Sequence, residues 1–415
     1  MQKNLKAIVL GGTAAHIDLI NNLKKRGYYT FLIDYYENPI AKEFADRHIQ
    51  ESTLDKEKVL EIAKAENVDL VISTSVDQAN LTACYCLERL GMHTPYSYET
   101  AIEVTNKILM KKKMVDNGIP TAKHFIIKSL DDLDGINLKY PLIVKPSDCN
   151  GSKGVRKADN LLELKSFTWD ALKISRTKEA IVEEFIFGKE IGLDCFVKDG
   201  FAEIVMTRHR RKIIDDDDNV QQIYGSFWPD DLSLKKMKKY SYIANKIAKV
   251  FKLVNTPLMI QLLINDEKIN VIEFAPRIGG GENARIIKLS ANFDIIDAAV
   301  CSYLGEKIIL NYTKPKMYFA DNLIYCNSGR FKEIINYEKF IEDRTIEYLV
   351  NLKEKGSNIG KDLSSNNRVG AFVVKADNKK DLFFKIEKVF KNIDVVDLNN
   401  KSIIKKEIFE NYIKR

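Results

Sequence analysis

The 415-residue sequence lacks most features that mark secreted, membrane-spanning or disordered proteins. Its six cysteines occur without a C-x-x-C pair or a neighbouring histidine cluster, so neither a disulfide framework nor a zinc site is expected. No apolar run approaches the roughly 18 residues that a membrane span requires, and the run near the start, Ala7 to Leu10, is shorter than the core of a secretory signal. Only 20 glycines and 9 prolines occur, which excludes collagen-like and linker-like chains. These absences predict a folded protein of the cytoplasm.

A strong charge of one sign is also missing. The 65 lysines and arginines are nearly balanced by 58 aspartates and glutamates, which leaves a net charge of +7. Tight basic runs occur at residues 111–113 and 208–212, whereas nucleic-acid binding would require a broader basic face with stacking aromatic residues. We therefore expect neither a nucleic-acid nor a membrane partner. The mild basic excess suits a small anionic ligand such as a nucleoside triphosphate.

Strands alternate with helices from residue 6 to about residue 105, beginning with the strand KAIVLGG and the amphipathic helix HIDLINNLKKRGY. This order predicts a parallel sheet with helical crossovers, and thus an α/β domain over residues 1–105. The turn at Gly11-Gly12, with Asp34 about twenty residues later, has the outline of a dinucleotide fingerprint, but the third glycine is missing.

The rest of the chain mixes strands and helices without that order. The middle is strand-rich, and a polar loop with the acidic run Asp215 to Asp218 is predicted between a strand at 201–214 and a helix at 233–252. That loop is either a solvated connection or a mobile lid over a site. The last part of the chain combines short strands with helices and predicts a small α+β domain. The fold class is therefore α/β and α+β.

A glycine-rich loop follows the predicted strand that ends in Lys145-Pro146. It consists of Asn150, Gly151, Ser152, Lys153 and Gly154. Small residues let backbone N–H groups approach phosphate oxygens, and the ammonium group of Lys145 adds a full charge beside them. The loop indicates a phosphate-binding site, with a plain flexible turn as the alternative.

Two carboxylates follow on one segment. Glu183 and Glu190 lie on a predicted strand and the turn that leaves it, with the apolar Phe185 and Ile186 between them. Such carboxylates could accept hydrogen bonds from an adenine amino group and a ribose hydroxyl while the apolar side chains cover the base. The alternative is two solvated carboxylates on an edge strand.

Gln261 and Glu273 lie on the two strands of a predicted hairpin. Because side chains alternate faces along a strand, their equal parity can bring both to one face. Oxygen ligands from two strands, completed by water and phosphates, suit Mg²⁺. Arg277 and the glycine run at 279–281, which includes Gly280, follow directly and suit a phosphoryl or acyl-phosphate oxyanion.

Taken in chain order, these motifs resemble those of the ATP-grasp superfamily, and most of all its carboxylate–amine ligases (L-amino acid ligases and the carbamoyl-phosphate-synthase-like or biotin-carboxylase-like branch). The resemblance rests on Asn106-Lys107, GIP at 118–120, VKP at 144–146, the glycine loop at 150–154, VEEFIFGKE at 182–190, the Gln261–Glu273 pair and EFAPRIGGG at 273–281. It implies an ATP-grasp domain over residues 106–310 with a small lid subdomain at about 120–187. A Rossmann-like pre-ATP-grasp domain would precede it over 1–105, and an α+β domain would follow over 311–415.

The resemblance also implies a role for each matching residue of the nucleotide site. The phosphates of ATP would be contacted by Lys107 and Lys145, and the loop at 150–154 would close over them. Adenine and ribose would be held by the remaining residues, namely Glu183 with the backbone of Glu184, Phe185 and Ile186 for the base, and Glu190 for the ribose.

The same resemblance implies the metal and catalytic residues. Gln261 and Glu273 would hold Mg²⁺ (or Mn²⁺), and Arg277 would steady the γ-phosphate and the acyl phosphate formed from it, so that Lys145, Glu273 and Arg277 act as the catalytic residues. One position departs from the family pattern. Ala275 stands where Glu-x-Asn usually supplies an asparagine oxygen, so a second Mg²⁺ would be held mostly by Glu273, ATP and water.

Three arginines are candidates for binding the substrate carboxylate. Arg208 and Arg210 share one parity on a predicted strand, for which a solvated basic edge is the alternative, and Arg285 lies on the helix after the glycine run.

The implied activity is ATP-dependent ligation in two steps. A carboxylate attacks the γ-phosphate to give an acyl phosphate and ADP, and an amine then displaces phosphate to form an amide or peptide bond. The substrates would be small molecules, and the protein would be a homodimer. Two alternatives stay open: ATP-dependent activation of bicarbonate or formate, as in carboxylases and transformylases, and a nucleotide-binding module without catalysis.

Overall fold

The structure of the protein is a computed structural model, which describes residues 5–149, 151, 153–215, 220–230, 233–265, 268–361 and 365–409. None of the helices in these ranges is long and apolar enough to cross a membrane. Short 3-10 turns lie at Lys42–Phe44, Leu130–Gly135 and Ser365–Asn367.

The first part of the chain folds around a parallel sheet. Its elements are β1 (Leu5–Leu10), α1 (Ala14–Lys25), β2 (Tyr28–Asp34), β3 (Arg47–Gln50), α2 (Lys56–Ala65), β4 (Leu70–Ile72), α3 (Asp77–Arg89) and α4 (Tyr98–Thr105). The strands run parallel in the order β3-β2-β1-β4. Ala7, Ile8 and Val9 of β1 are fully buried, as expected for a parallel strand covered on both faces. The predicted parallel sheet is confirmed, and β3 is an additional strand.

A small antiparallel sheet follows, which we call the 124–184 sheet. This part of the chain comprises α5 (Lys107–Asp116), β5 (His124–Ile127), β6 (Leu142–Pro146), β7 (Arg156–Ala158), α6 (Leu161–Ile174) and β8 (Ala180–Glu184). The strand order is β5-β8-β6-β7. Helix α6 begins after the Asn160 side chain accepts a hydrogen bond from the Glu163 N–H, and it covers the sheet with Leu164, Ala171 and Leu172.

The rest of the described chain forms a long antiparallel sheet, called the large sheet below, a small three-stranded sheet beside it, and the helices between their strands. The middle of the chain supplies β9 (Lys189–Lys198), β10 (Phe201–Asp215), β11 (Val220–Trp228), α7 (Leu234–Val250), β12 (Thr256–Asn265), β13 (Lys268–Ala275), α8 (Asn283–Ala291) and α9 (Ile295–Leu304). The end of the chain supplies β14 (Tyr318–Tyr325), β15 (Gly329–Ile335), α10 (Glu338–Glu342), β16 (Tyr348–Asn351), β17 (Asn358–Ile359), β18 (Arg368–Ala376), α11 (Lys379–Asn392) and β19 (Asp394–Asp397).

The large sheet runs in the order β13-β12-β9-β10-β11-β14-β18-β16, so it continues across residue 310, while β15 pairs with β17 and β19 beside it. The buried face of α11, with Leu382, Ile386 and Val389, belongs to the core beneath β14 and β18. Helices α8 and α9 instead pack into the core of the parallel sheet, where Ile286 and Val300 join Leu19 of α1.

The prediction of a polar loop before the helix at 233–252 is wrong for the second half of that segment. Residues 220–228 form β11, which pairs with β10 on one side and β14 on the other, and Trp228 is fully buried there. Burial between two strands therefore overrides the polar look of the segment. Of the acidic run, Asp215 ends β10, and Asp216 to Asp218 lie outside the described residues.

Candidate active site

A cavity of about 250 Å³ lies between the 124–184 sheet and the edge of the large sheet formed by β12 and β13. It gathers many of the residues that the sequence motifs singled out. Its lining includes Lys107, Lys145, Gly151, Glu183, Glu184, Phe185, Ile186, Glu190, Arg210, Gln261 and Glu273. Residues up to 166 positions apart in the sequence therefore meet at one place, with cations, carboxylates and apolar side chains on its walls.

The glycine loop lies against the end of β6. Gly151 and Gly154 have φ values of +62° and +73°, which L-residues with a Cβ rarely adopt. At Gly154 a Cβ would also approach Cγ of Pro146 to 2.9 Å. Lys153 is exposed, and Ser152 lies outside the described residues. The glycines are thus required by the turn itself, whichever ligand the loop covers.

Lys107 connects the glycine loop to the β12–β13 hairpin. Asn106 caps α5, because its side chain accepts hydrogen bonds from the backbone N–H groups of Ile108 and Leu109. Lys107 therefore lies in the first helical turn. The ammonium group of Lys107 donates to the carbonyl oxygen of Cys149 and lies 4.0 Å from Oε2 of Glu273. The Asn-Lys pair of the sequence is therefore a helix start that aims a cation at the cavity.

Glu183 is held between two buried lysines. Its Oε1 lies 2.6 Å from Nζ of Lys145, and its Oε2 lies 2.8 Å from Nζ of Lys111. Burial would raise the pKa of Glu183, but the charges of Lys111 and Lys145 outweigh it and lower that pKa to about 2. Glu183 is thus a counter-ion of two lysines, which differs from the adenine contact that the resemblance implies.

The segment after Glu183 forms an apolar recess. The N–H of Glu184 donates to the carbonyl of Lys123, and that of Phe185 donates to Pro141, which fixes the path of the backbone. The rings of Phe185 and Phe187 meet edge to face with centroids 4.8 Å apart. The recess is completed from the two sheets by Ile143 of β6 and Leu263 of β12.

Glu190 is buried at the start of β9 and is paired with two cations of β10. Its Oε1 lies 3.0 Å from Nη1 of Arg210, and its Oε2 lies 2.6 Å from Nζ of Lys212. Burial would raise the pKa of Glu190, but these two cations lower it. Arg210, one of the candidates for binding the substrate carboxylate, therefore lines the cavity as the ion-pair partner of Glu190.

Gln261 lies directly opposite Glu273 on β12 and β13, as expected, but through a β-bulge, because the register shifts between Gln261 and Leu262. Both residues line the cavity, and about a third of the Glu273 side chain is exposed. Within the described ranges no cluster of three or more His, Cys, Asp or Glu side chains could hold a metal ion. The Gln261–Glu273 pair therefore offers two oxygen ligands, and Ala275 adds none.

Arg277 forms an ion pair with Asp77, the first residue of α3. Its Nε lies 2.6 Å from Oδ1, and its Nη2 lies 3.1 Å from Oδ2. Burial would lower the pKa of Arg277, but the Asp77 charge outweighs it and raises that pKa. Sequence reasoning did not predict the pairing of Arg277 with Asp77, which is 200 residues away. The arginine and Glu273 line a second, much smaller recess next to the cavity.

The other substrate candidates lie outside the cavity lining. Arg208 is buried against Asp194, with Nε 3.3 Å from Oδ2, so the alternative of a solvated basic edge is wrong for it. Arg285 pairs with Asp18 of α1 at 2.6 Å. Gly280 has open space where a Cβ would be.

Comparisons with known proteins agree with this architecture. Residues 138–284 match the family model of the ATP-grasp domain. An L-arginine-specific L-amino acid ligase of Bacillus subtilis is 24% identical over 325 residues, which are 73% of this chain and 75% of that protein.

Two solved structures show the same fold. The L-amino acid ligase of Bacillus licheniformis has a TM-score of 0.79 at 16% identity and covers 96% of this chain and 100% of its own. The biotin carboxylase domain dimer of the 2-oxoglutarate carboxylase of Hydrogenobacter thermophilus, in complex with MgADP and bicarbonate, has a TM-score of 0.77 at 16% identity, with 100% and 95% of the two chains covered. The resemblance to the ATP-grasp superfamily and the fold that it implies are confirmed.

Proposed function

We propose that this chain, which carries an ATP-grasp domain, is an ATP-dependent and ADP-forming ligase that joins a small carboxylate to an amine. The observation that carries the proposal is the single cavity at which Lys107, Lys145 and the Gln261–Glu273 pair face an apolar recess. A nucleoside triphosphate needs these three environments together: apolar walls for the base, cations for the phosphates, and oxygen ligands for the metal ion.

The recess gives ATP one orientation. The base would lie between the apolar side chains Ile143, Phe185 and Leu263, with the backbone of residues 184–186 along its edge. Glu190, buried at the recess, would accept from the ribose hydroxyls. The phosphates would then point to Lys107, Lys145 and the glycine loop.

Mg²⁺ fits the hairpin residues. Gln261 and Glu273 supply a neutral and an anionic oxygen from facing strands, and Mg²⁺ commonly completes such a set with water and phosphate oxygens. Bound there, the ion would offset the negative charge of the triphosphate. Lys107, 4.0 Å from Glu273, adds a fixed positive charge beside the same carboxylate.

The reaction proceeds in two displacement steps. A carboxylate oxygen of the substrate attacks the γ-phosphorus, the bond to the β,γ-bridging oxygen breaks, and ADP leaves. The amine nitrogen then attacks the acyl carbon, inorganic phosphate leaves, and the nitrogen loses a proton. Arg277, oriented by Asp77, would stabilise the transferred phosphoryl group and the acyl phosphate.

Phosphorus NMR of the protein with Mg-ATP, amino acids, small amines and bicarbonate tests the proposal. ADP and phosphate are expected when a carboxylate and an amine are both present. AMP and pyrophosphate would overturn the acyl-phosphate route, and ADP formed with bicarbonate alone would favour a carboxylase.

Glu273→Ala should abolish ADP formation without unfolding the protein. The control is Glu203→Ala, because Glu203 is an exposed carboxylate of the same large sheet outside the cavity lining. Full activity of Glu273→Ala would refute the metal assignment.

We also propose that the protein acts in the cytoplasm as a homodimer. The support for the dimer is the domain dimer described for the 2-oxoglutarate carboxylase of similar fold. Light scattering on the purified protein tests it, and a mass of about 47.6 kDa at working concentration would mean a monomer.

A further inference from the structure

Lys111 is a buried lysine that the proposed reaction does not use. It lies on α5 between Met110 and Met114, on the face of the helix that points inward, and only 2% of its side chain is exposed. A buried ammonium group is costly unless it is paired and hydrogen-bonded. Its partners therefore indicate what the residue is for.

Those partners form a continuous chain of contacts. Nζ of Lys111 lies 2.8 Å from Oε2 of Glu183 and donates to Oγ1 of Thr121 at 2.8 Å. Oε1 of Glu183 lies 2.6 Å from Nζ of Lys145. Two ammonium groups thus share one carboxylate, and the triad keeps one net positive charge on the wall of the cavity.

The chain of contacts also joins the two sheets that form the cavity. Thr121 donates from Oγ1 to the carbonyl of Val271 at 2.9 Å, and the N–H of Val271 donates to the carbonyl of Pro120 at 2.7 Å. Val271 lies on β13, two residues before Glu273, whereas Lys145 and Glu183 lie on the 124–184 sheet. Lys111 therefore lies at the junction between the phosphate-binding lysine and the metal-binding hairpin.

We propose that Lys111 is a positioning residue for ATP binding, which through Glu183 fixes Lys145 and through Thr121 ties that lysine to the β12–β13 hairpin. This inference rests on the proposed function. It assigns Glu183 the role of a shared counter-ion: without Lys111, Glu183 neutralises Lys145, and the triad loses the net positive charge that faces the triphosphate.

Burial and charge act in opposite directions on Lys111 and on Glu183, as expected for a buried ion pair. Burial lowers the pKa of Lys111, and the Glu183 charge acts against that lowering. The carboxylate side of the pair stays ionised, since the two lysines lower the pKa of Glu183 to about 2 although its burial acts in the opposite sense. The other titratable groups near the pair are His124 of β5 and Glu273.

The test is a set of Mg-ATP titrations by calorimetry on the full chain, with circular dichroism as the check on folding. Lys111→Met keeps the apolar stem and removes the charge, and it should weaken Mg-ATP binding by about tenfold or more. Lys112→Met is the matched control, because Lys112 is the exposed neighbour on the same helix, and its affinity should equal that of the wild type.

The double variant Lys111→Met/Glu183→Gln separates positioning from mere packing. With Glu183 neutral, Lys145 again carries an uncompensated charge, so the double variant should bind Mg-ATP more tightly than Lys111→Met alone. A purely structural lysine predicts the opposite order, because two changes in one packed cluster would disturb it more than one. If Lys111→Met does not fold, the double variant is compared with Glu183→Gln, which keeps the charge of Lys111 and should bind Mg-ATP more tightly; equal affinities would overturn the inference.

If Lys111→Met folds, two results overturn the inference: wild-type affinity in Lys111→Met, or a double variant that binds more weakly than its parent. If the wild-type protein itself binds no Mg-ATP, the proposed function fails, and the inference fails with it. If the wild type binds Mg-ATP and Lys111→Met binds it equally well, only the inference fails.

Discussion

Replacing Arg208 by methionine decides between two roles for this arginine, substrate binding as the sequence suggested and structural pairing as the fold indicates. Arg208 and Asp194 lie on the neighbouring strands β10 and β9, and their side chains are 7% and 2% exposed. At their separation of 3.3 Å and an effective dielectric constant of about 20, the attraction is about 5 kcal/mol. Desolvation opposes it with several kcal/mol per ion.

The single variant should therefore be much less stable than the double variant. Arg208→Met leaves Asp194 charged and buried without its counter-ion, although Asn283 still donates to it, and should lower the free energy of unfolding by about 3–5 kcal/mol. Asp194→Asn/Arg208→Met leaves no charge, and its stability should return close to that of the wild type. The exposed arginine at 330 provides the control, and Arg330→Met should change little.

The pH dependence follows from the direction of the Asp194 pKa. Burial raises this pKa above its ordinary value of 3.8 even with Arg208 beside it. An acid whose folded pKa is raised costs stability above its unfolded pKa, and the cost falls as the pH falls through the folded pKa towards the unfolded value. Loss of Arg208 raises the folded pKa further, so the deficit of Arg208→Met should be smaller at about pH 5 than at about pH 8.

Urea unfolding followed by tryptophan fluorescence measures these changes. The chain has two tryptophans, of which Trp169 is half exposed on α6 and Trp228 is fully buried in β11. A Trp169→Phe background therefore makes the emission report on the large sheet alone. Wild-type stability of Arg208→Met, together with a raised KM for the carboxylate substrate, would refute the structural pairing and restore the substrate role.

Two further changes test the surroundings of the cavity. Asp77→Asn removes the charge that orients Arg277, so it should reduce kcat about tenfold or more and change KM for ATP little. Both constants are measured by coupled ADP release, and an unchanged kcat would contradict the role of the ion pair. Gly192→Ala would drive a Cβ into the Arg208 side chain and should destabilise the large sheet by about 1–3 kcal/mol in the urea assay. Gly135→Ala, with open space around it, should not. Equal urea midpoints for the two variants would show that Arg208 can move aside.

The sequence predicted those features that follow from local periodicity. Gln261 and Glu273 share one face as their equal parity predicts, but a β-bulge is needed for it: from the turn the pairs run to Leu262–Val271, and the register shifts by one residue before Gln261–Glu273. The apolar spacing of LLELKSFTWDALKI predicts a helix, which the structure has at Leu161–Ile174. The helix needs only information from residues close in the chain, whereas the bulge depends on how the two strands pair.

The partners of the site residues could not be predicted in this way. Asp77 lies 200 residues from Arg277, and Asp18 lies 267 residues from Arg285. Periodicity shows which face a side chain occupies but not which distant element covers that face. Lys111 was missed because it stands among further lysines and shares the buried face only with methionines.

Strand β11 was missed because its sequence does not alternate between polar and apolar residues. Gly225 carries the one clue, since a glycine within a strand often marks a close approach of another backbone. A Cβ at that position would meet the carbonyl oxygen of Asp321 on β14. The glycine can be interpreted in this way only once the neighbouring strand is known.

The continuity of the large sheet across residue 310 makes the end of the chain part of the same sheet as the Gln261–Glu273 hairpin. Strand β14 is hydrogen-bonded to β11 from Gly225–Asn322 to Trp228–Phe319. A chain severed at this point would leave one side of β11 with bare N–H and C=O groups, an edge prone to recruit foreign strands. Since the same sheet extends to the hairpin that carries Glu273, we expect the last hundred residues to unfold together with β12 and β13 and not to behave as an exchangeable module.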